Sequence, residues 1–162
     1  WIASDGPDTL PLQAEHAADT RISWLGRIND PEKFARLRGA SVFCAPSLHG
    51  ESFGVVLIEA MAAGTAVVAS GLDGYRNVAT DGLDAVLVPP GDVGALRRAL
   101  TEVLTNSELA ASLRTAGLRR AGDFSMATLA AEYVRIYRQL LADADAADDA
   151  ARSALRRPRW RR

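Results

Sequence analysis

Apolar residues along the chain fall into short runs of strand length, which are separated by longer amphipathic segments. The runs that predict strands are WIASDGP at 1–7, RISWLG at 21–26, ASVFCAP at 40–46, TAVVAS at 65–70 and DAVLVPP at 84–90. Several are almost continuous in Val, Leu and Ala, which is typical of strands buried on both faces of a parallel sheet. Pro46 closes the third run, and Pro89 and Pro90 close the fifth, because proline cannot continue a ladder of hydrogen bonds.

The segments between and after these runs have helical periodicity. Helices are predicted over 31–38, 52–63, 93–105, 108–121 and 126–142. Their predicted N-terminal residues are Asp30 with Pro31, Asp92, Ser107 and Ser125, and Gly64 is placed to end the second helix. The last helix carries an apolar stripe formed by Leu129, Tyr133, Ile136, Tyr137 and Leu140. The resulting order predicts an α/β fold: a Rossmann-like, doubly wound parallel sheet with a helical C-terminal appendix.

The pattern changes near residue 142, so we divide the chain into a partial domain over 1–142 and a tail over 143–162. The tail is acidic and alanine-rich at first and arginine-rich at its end. We expect it to be disordered and solvated, or to use Trp160 and the arginines around it to contact an anionic lipid or nucleic acid. The opening on Trp1, with no initiator Met, predicts that the chain is the back part of a longer protein.

Composition narrows the function classes. The chain has 162 residues, a net charge of −1 and 48% hydrophobic residues, so it can bury a core and is not a nucleic-acid binder by its overall charge. Cys44 is the only cysteine and lies in an apolar run, which predicts a buried, unreactive thiol in a cytoplasmic protein. No segment has the length or pattern of a membrane span or a signal peptide. No group of residues has metal-ligand spacing, so no metal site is predicted.

The segment GESFGVVLIEAMAAGTAVVAS, residues 50–70, carries the candidate chemistry. In open α/β sheets, ligands bind beyond the carboxyl ends of the strands, where loops enter helices. If the helix begins near Ser52, the backbone N–H groups of Ser52, Phe53, Gly54 and Val55 point outward at the positive end of its dipole. This arrangement would suit an anion such as a diphosphate.

Two glutamates, Glu51 and Glu59, stand eight positions apart in this segment. Eight helical residues span about 12 Å, so one carboxylate would lie at the helix mouth and the other about two turns deeper. A nucleotide sugar has vicinal hydroxyls near each end, and a carboxylate can accept two hydroxyl hydrogen bonds. The alternative is that Glu51 caps the helix and Glu59 is solvated. The spacing by itself leaves both interpretations open.

The same stretch resembles the E-x7-E signature of the retaining GT-B glycosyltransferases of family four. PSLHGESFG before it and DGLDAVLVPPGD after it are also similar to the family pattern, and the resemblance extends from Trp1 to about Leu141. It implies that the chain is the incomplete C-terminal, donor-binding half of a GT-B enzyme. The segment from WLGRINDPEK onward is most similar to the actinobacterial members that mannosylate phosphatidylinositol.

The resemblance implies a role for each matching residue. Glu51 would hold the donor sugar and face the charge that develops at its anomeric carbon, and Glu59 would bind the ribose. The amides of Phe53, Gly54 and Val55 would hold the diphosphate. Ile28, Asp30 and Lys33 would surround guanine, whose two adjacent donors suit an acidic side chain. Without the resemblance, Asp30 is also explained as a helix cap, Lys33 as a solvated cation and His49 as a polar loop residue.

The implied function is transfer of mannose from GDP-mannose to a phosphatidylinositol-type lipid, with no cofactor and no metal. The alternatives are a family-four enzyme that uses a UDP-sugar, and a nucleotide-sugar-binding module without catalysis of its own. The lipid acceptor would be held by a missing N-terminal domain, and the isolated chain is expected to be inactive. The implied location is the cytoplasm, with peripheral contact to anionic lipid at the inner face of the cell membrane.

Overall fold

The computed structural model describes residues 1–155. In chain order, the elements are β1 (Ile2–Ala3), α1 (Thr9–Glu15), β2 (Trp24–Gly26), α2 (Asp30–Gly39), β3 (Val42–Ala45), α3 (Val55–Ala62), β4 (Ala66–Ser70), α4 (Asp73–Arg76), β5 (Val86–Val88), α5 (Val93–Thr105), α6 (Ser107–Asp123) and α7 (Met126–Leu155). The chain divides into two compact units, Trp1–Ala121 and a second that begins at Gly122.

All strand pairs of the first unit are parallel, which confirms the predicted α/β class. β1 pairs with β2, and β3, β4 and β5 form a separate sheet in that order. Val42 lies opposite Ala66, and Val68 lies opposite Val86. Every residue of the central strand β4 is buried, as its uninterrupted apolar sequence predicts.

The main core of this unit lies between the three-stranded sheet and two of the helices. Val68 and Val88 from the sheet contact Val103 of α5 and Leu113 of α6 in one buried cluster. Helix α5 begins where it was predicted, because the Asp92 side chain accepts a hydrogen bond from the Ala95 N–H at 2.8 Å. This packing fixes the carboxyl ends of β3 and β4, where the candidate residues lie.

Three helix starts differ from the predictions. Helix α2 is capped by Asn29, whose side chain accepts from the Glu32 N–H at 3.0 Å, so Asp30 is its first residue rather than its cap. Helix α6 likewise has Asn106, not Ser107, as the acceptor at its start, at 3.1 Å from the Leu109 N–H. Helix α3 begins at Val55 instead of Ser52, because Gly54 before it has a left-handed backbone that a right-handed helix cannot include.

The second unit consists mainly of α7, which Ser125 caps by accepting from the Thr128 N–H at 3.1 Å. The helix continues to Leu155, so residues 143–155 are helical where disorder was expected. This part is rich in alanine and contains no glycine or proline, which favours helix. The predicted stripe forms on α7, but its members, from Leu129 to Leu140, are exposed. Trp160 and the arginines near it lie outside the described residues.

Within residues 1–155, no helix has the combined length and hydrophobicity that crossing a lipid bilayer requires.

Candidate functional site

The candidate residues collect at the carboxyl ends of the strands, as expected for an open α/β sheet. The loop after β3 leads through Glu51 into α3, and the loop after β4 forms the short helix α4 beside it. Because β3 and β4 are parallel neighbours, these two loops emerge at the same edge of the sheet. Helix α2 contacts α3 and brings Lys33 to Glu59.

Residues 50–54 form a tight turn, here called the Glu51 turn, that closes on its own carboxylate. Glu51 Oε1 accepts hydrogen bonds from the Phe53 N–H at 3.1 Å and from the Gly54 N–H at 2.8 Å. These two bonds lower the pKa of Glu51, and weaker contributions in the same direction come from the Ser52 backbone and the Tyr75 side chain. The carboxylate is therefore held in one place, and the bonds that hold it favour its ionised form.

This turn changes two expectations about the anion site. The N–H groups of Phe53 and Gly54 are engaged by Glu51, so they are not open for a ligand in this structure. Within the described chain, the N–H groups of Val55 and Val56 have no acceptor, which makes them the open donors at the start of α3. The helical spacing assumed between Glu51 and Glu59 also fails, because residues 51–54 are not helical.

The Glu51 turn contacts α4 and the residues just after it so closely that two glycines are needed. Gly54 has φ of 97°, and a Cβ there would lie 2.7 Å from Cγ2 of Val78 and 3.2 Å from Cδ1 of Tyr75. A Cβ on Gly74 would run into the Glu51 carbonyl oxygen, and it would lie 2.7 Å from the carbonyl carbon and 3.0 Å from Cγ. Such distances exclude a side chain at either position unless the backbone moves.

Tyr75 completes the contact between the two loops. Its ring is buried, with 2% of its surface exposed, and its hydroxyl lies 3.1 Å from the Ser47 hydroxyl. Ser47 belongs to the loop after β3, so this hydrogen bond joins α4 to the segment that leads into the Glu51 turn. Sequence reasoning missed Gly74 and Tyr75. The only available signal was that their segment, SGLDGYRNV, follows a buried strand.

A second group, the Lys33 cluster, consists of Asp30, Lys33 and Glu59. Lys33 Nζ lies 2.7 Å from Glu59 Oε1 and 3.0 Å from Asp30 Oδ1. The Glu59 and Lys33 side chains are 25% and 28% exposed, whereas that of Asp30 is 80% exposed. The pKa of Lys33 is raised, first by its hydrogen bond to Glu59 and then by that to Asp30. The structure thus brings together three of the predicted site residues, and the Glu59 and Lys33 side chains are paired with each other while staying partly exposed.

The remaining candidates, Ile28, His49 and Cys44, differ in how far they are exposed. Ile28 is half-buried in the loop before α2, and His49 is exposed in the loop after β3. Cys44 is half-buried in β3, and burial raises the pKa of its thiol, as expected for an unreactive cysteine. Among the described residues, no group of three or more acidic, histidine or cysteine side chains is placed to hold a metal ion.

Comparison with known proteins places this geometry in a family. The family model described as "Glycosyl transferases group 1" matches residues 4–120. The chain is 46% identical over 116 residues to phosphatidyl-myo-inositol mannosyltransferase of Mycobacterium leprae, covering 72% of this chain and 31% of that protein. It is 34% identical over 142 residues to D-inositol 3-phosphate glycosyltransferase of Frankia alni, covering 85% of this chain and 34% of that protein. The chain therefore spans about a third of the length of these relatives.

The fold comparison agrees with the sequence comparison. Sucrose-phosphate synthase from Thermosynechococcus elongatus superposes with a TM-score of 0.75 at 30% sequence identity. The match covers 86% of this chain and 37% of that chain.

Proposed function

Because the chain belongs to the group 1 glycosyltransferase family, we propose that it binds the nucleotide-sugar donor of a retaining glycosyltransferase, and that the donor is GDP-mannose. The observation that carries this proposal is the Glu51 turn: an ionised carboxylate fixed beside the open amides of Val55 and Val56 at the start of α3. The carboxylate suits the sugar of such a ligand, and the two amides suit its diphosphate.

The chemistry at the sugar end follows from charge. As the bond from the anomeric carbon to the diphosphate breaks, positive charge develops on the sugar and negative charge on the leaving group. Glu51 would stabilise the positive charge on the sugar and accept hydrogen bonds from sugar hydroxyls. The Val55 and Val56 amides, with the positive end of the α3 dipole, would stabilise the negative charge on the leaving diphosphate. Because Glu51 is already held in place by two backbone amides, little reorganisation is needed during the reaction.

The Lys33 cluster suits the nucleoside end. Lys33 is bonded to Oε1 of Glu59, and Oε2 has no partner in the described part of the chain. A ribose hydroxyl can therefore bind Glu59 without displacing the lysine. Asp30 is largely exposed and is not needed as a helix cap, so its carboxylate can accept from the two adjacent donors of guanine. Ile28, half-buried before α2, would cover one face of the base.

The acceptor is proposed from the relatives. The relative at 46% identity is named for phosphatidyl-myo-inositol, and the one at 34% for D-inositol 3-phosphate. We therefore propose an inositol-containing acceptor, with phosphatidylinositol as the first choice. An enzyme acting on such a lipid would work at the cytoplasmic face of the membrane as a peripheral protein.

Isothermal titration of the 162-residue chain with GDP, GDP-mannose, UDP and UDP-glucose tests the donor assignment. We expect both guanine ligands to bind more tightly than both uridine ligands, and Glu51→Gln to weaken GDP-mannose more than GDP. Glu102→Gln, which alters an exposed residue of α5, is the matched control and should change neither. Tighter binding of UDP-glucose would instead support the alternative of a UDP-sugar enzyme. Absence of binding by all four ligands would contradict the proposal.

A further inference from the structure

We propose that Gly74 and Tyr75 of α4 are positioning residues that hold the Glu51 carboxylate in the place where it would meet the donor sugar. The structural part of this inference concerns Glu51 alone, and its consequence for the ligand rests on the function proposed above. Both residues would affect the ligand indirectly, by holding Glu51, and neither has to contact the ligand itself.

The role of Gly74 follows from how closely α4 approaches the Glu51 turn. The atoms nearest to a Cβ at residue 74 all belong to Glu51, and two of them are backbone atoms. Backbone cannot rotate away as the end of a long side chain can, so an added methyl group would push the turn off α4. The two hydrogen bonds from Phe53 and Gly54 to Glu51 span only a few residues of this turn, so they would be disturbed first.

Tyr75 restrains the turn from two sides. Its buried ring lies against Gly54, where Cδ1 is 3.2 Å from the position of an added Cβ. Its hydroxyl is bonded to Ser47 at 3.1 Å, four residues before Glu51. The same hydroxyl also helps to lower the pKa of Glu51, after the larger effects of the Phe53 and Gly54 amides. Tyr75 thus contacts both ends of the segment that carries the carboxylate.

Gly71→Ala provides a matched control in the same loop. The nearest atom to an added Cβ there is Nη2 of Arg76, at 2.6 Å, and the terminal atoms of an arginine side chain can move aside. This variant makes the same chemical change as Gly74→Ala, three residues earlier, without a collision with Glu51.

The first measurement reads the position of Glu51 without any ligand. The Glu51 carboxyl carbon is titrated by ¹³C NMR and assigned by its absence from the Glu51→Gln spectrum. We expect the pKa of Glu51 to rise towards its ordinary value in Gly74→Ala, to rise less in Tyr75→Phe, and to stay as in the wild type in Gly71→Ala. An unchanged titration in folded Gly74→Ala would overturn the proposal. If Gly74→Ala does not fold, an unchanged titration in Tyr75→Phe overturns it instead.

The second measurement compares GDP-mannose with GDP. We expect Gly74→Ala to bind GDP-mannose about tenfold more weakly, and GDP no more than about twofold more weakly, because only the sugar requires Glu51. Equal GDP-mannose affinity in Gly74→Ala and wild type would overturn the proposal. If the pKa of Glu51 shifts as expected but the wild type binds no nucleotide sugar, the proposed function fails and the positioning role is supported.

Discussion

Neighbouring residues at the start of α2 are expected to have separable roles, one in stability and one in base selection. Asn29 caps the helix by accepting from the Glu32 N–H, whereas Asp30 follows it and its carboxylate pairs with Lys33. We predict that Asn29→Ala lowers the stability of the fold without changing nucleotide preference. Asp30→Ala should change nucleotide preference while leaving the stability of the fold nearly unchanged.

The structure sets the size of each effect. Loss of an N-cap side chain costs about 0.5–2 kcal/mol, with a Tm about 3–6 °C lower per kcal/mol in a unit of this size. The Asp30 carboxylate is 80% exposed and Lys33 keeps Glu59 as a partner, so its removal should cost at most about 0.5 kcal/mol of stability. If Asp30 accepts from guanine, its loss should cost about 1–3 kcal/mol of GDP binding, which is about 5- to 150-fold in Kd.

The assay pairs thermal unfolding with calorimetric titration of GDP and UDP for the wild type and both variants. The informative quantity is the ratio of the two Kd values, because a general loss of folded protein lowers both apparent affinities alike. Asp30→Asn refines the test, since it keeps an acceptor but removes the charge. Equal weakening of GDP and UDP binding by Asp30→Ala, or a changed Kd ratio in Asn29→Ala, would contradict the separate roles of the two residues.

Three further outcomes are expected. Glu59→Gln should weaken GDP and GDP-mannose alike, because both contain ribose, whereas Glu51→Gln should weaken mainly GDP-mannose; titration calorimetry would contradict this if both variants behaved identically. The pKa of Glu51 is lowered in the fold, so its contribution to stability is present above about pH 4.5 and is lost as the pH falls through the folded-state value. The difference in urea unfolding between wild type and Glu51→Ala should therefore be full at pH 7 and narrow below pH 4.5, and a constant difference would argue against this linkage. Cys44, with a raised thiol pKa, should react with a disulfide reagent more slowly than a free thiol until urea is added.

The parallel strands and most helices could be predicted because their signals are local. The run TAVVAS identifies β4 without knowledge of its neighbours, and Asp92 identifies the start of α5. The start of α3 could not be placed in the same way. Its first residue depends on Gly54, whose φ of 97° lies outside the right-handed helical region. Glycine can adopt either conformation, so the sequence alone does not reveal where the helix begins.

The sequence names candidate residues for the site but not the contacts between them. Glu51, Glu59, Asp30 and Lys33 are candidates from the sequence, but the bridge from Lys33 to both acids was not predicted, since residues 33 and 59 are 26 positions apart. The contact between Gly74 and Glu51 is equally nonlocal. A glycine in a loop sequence indicates backbone freedom, whereas here the absence of a side chain matters because another backbone passes beside it.

The position of Lys33 between two acids has a practical consequence, because it is the only lysine among the 162 residues. Reductive methylation with isotopically labelled formaldehyde would introduce a single side-chain dimethylamine, which keeps its positive charge. That signal would lie next to the carboxylates of Glu59 and Asp30, so its chemical shift should respond when a nucleoside occupies them. The α-amino group of Trp1 reacts in the same way, so the chain carries one natural side-chain attachment point for such a reporter beside its N-terminus, and no engineered residue is needed to install it.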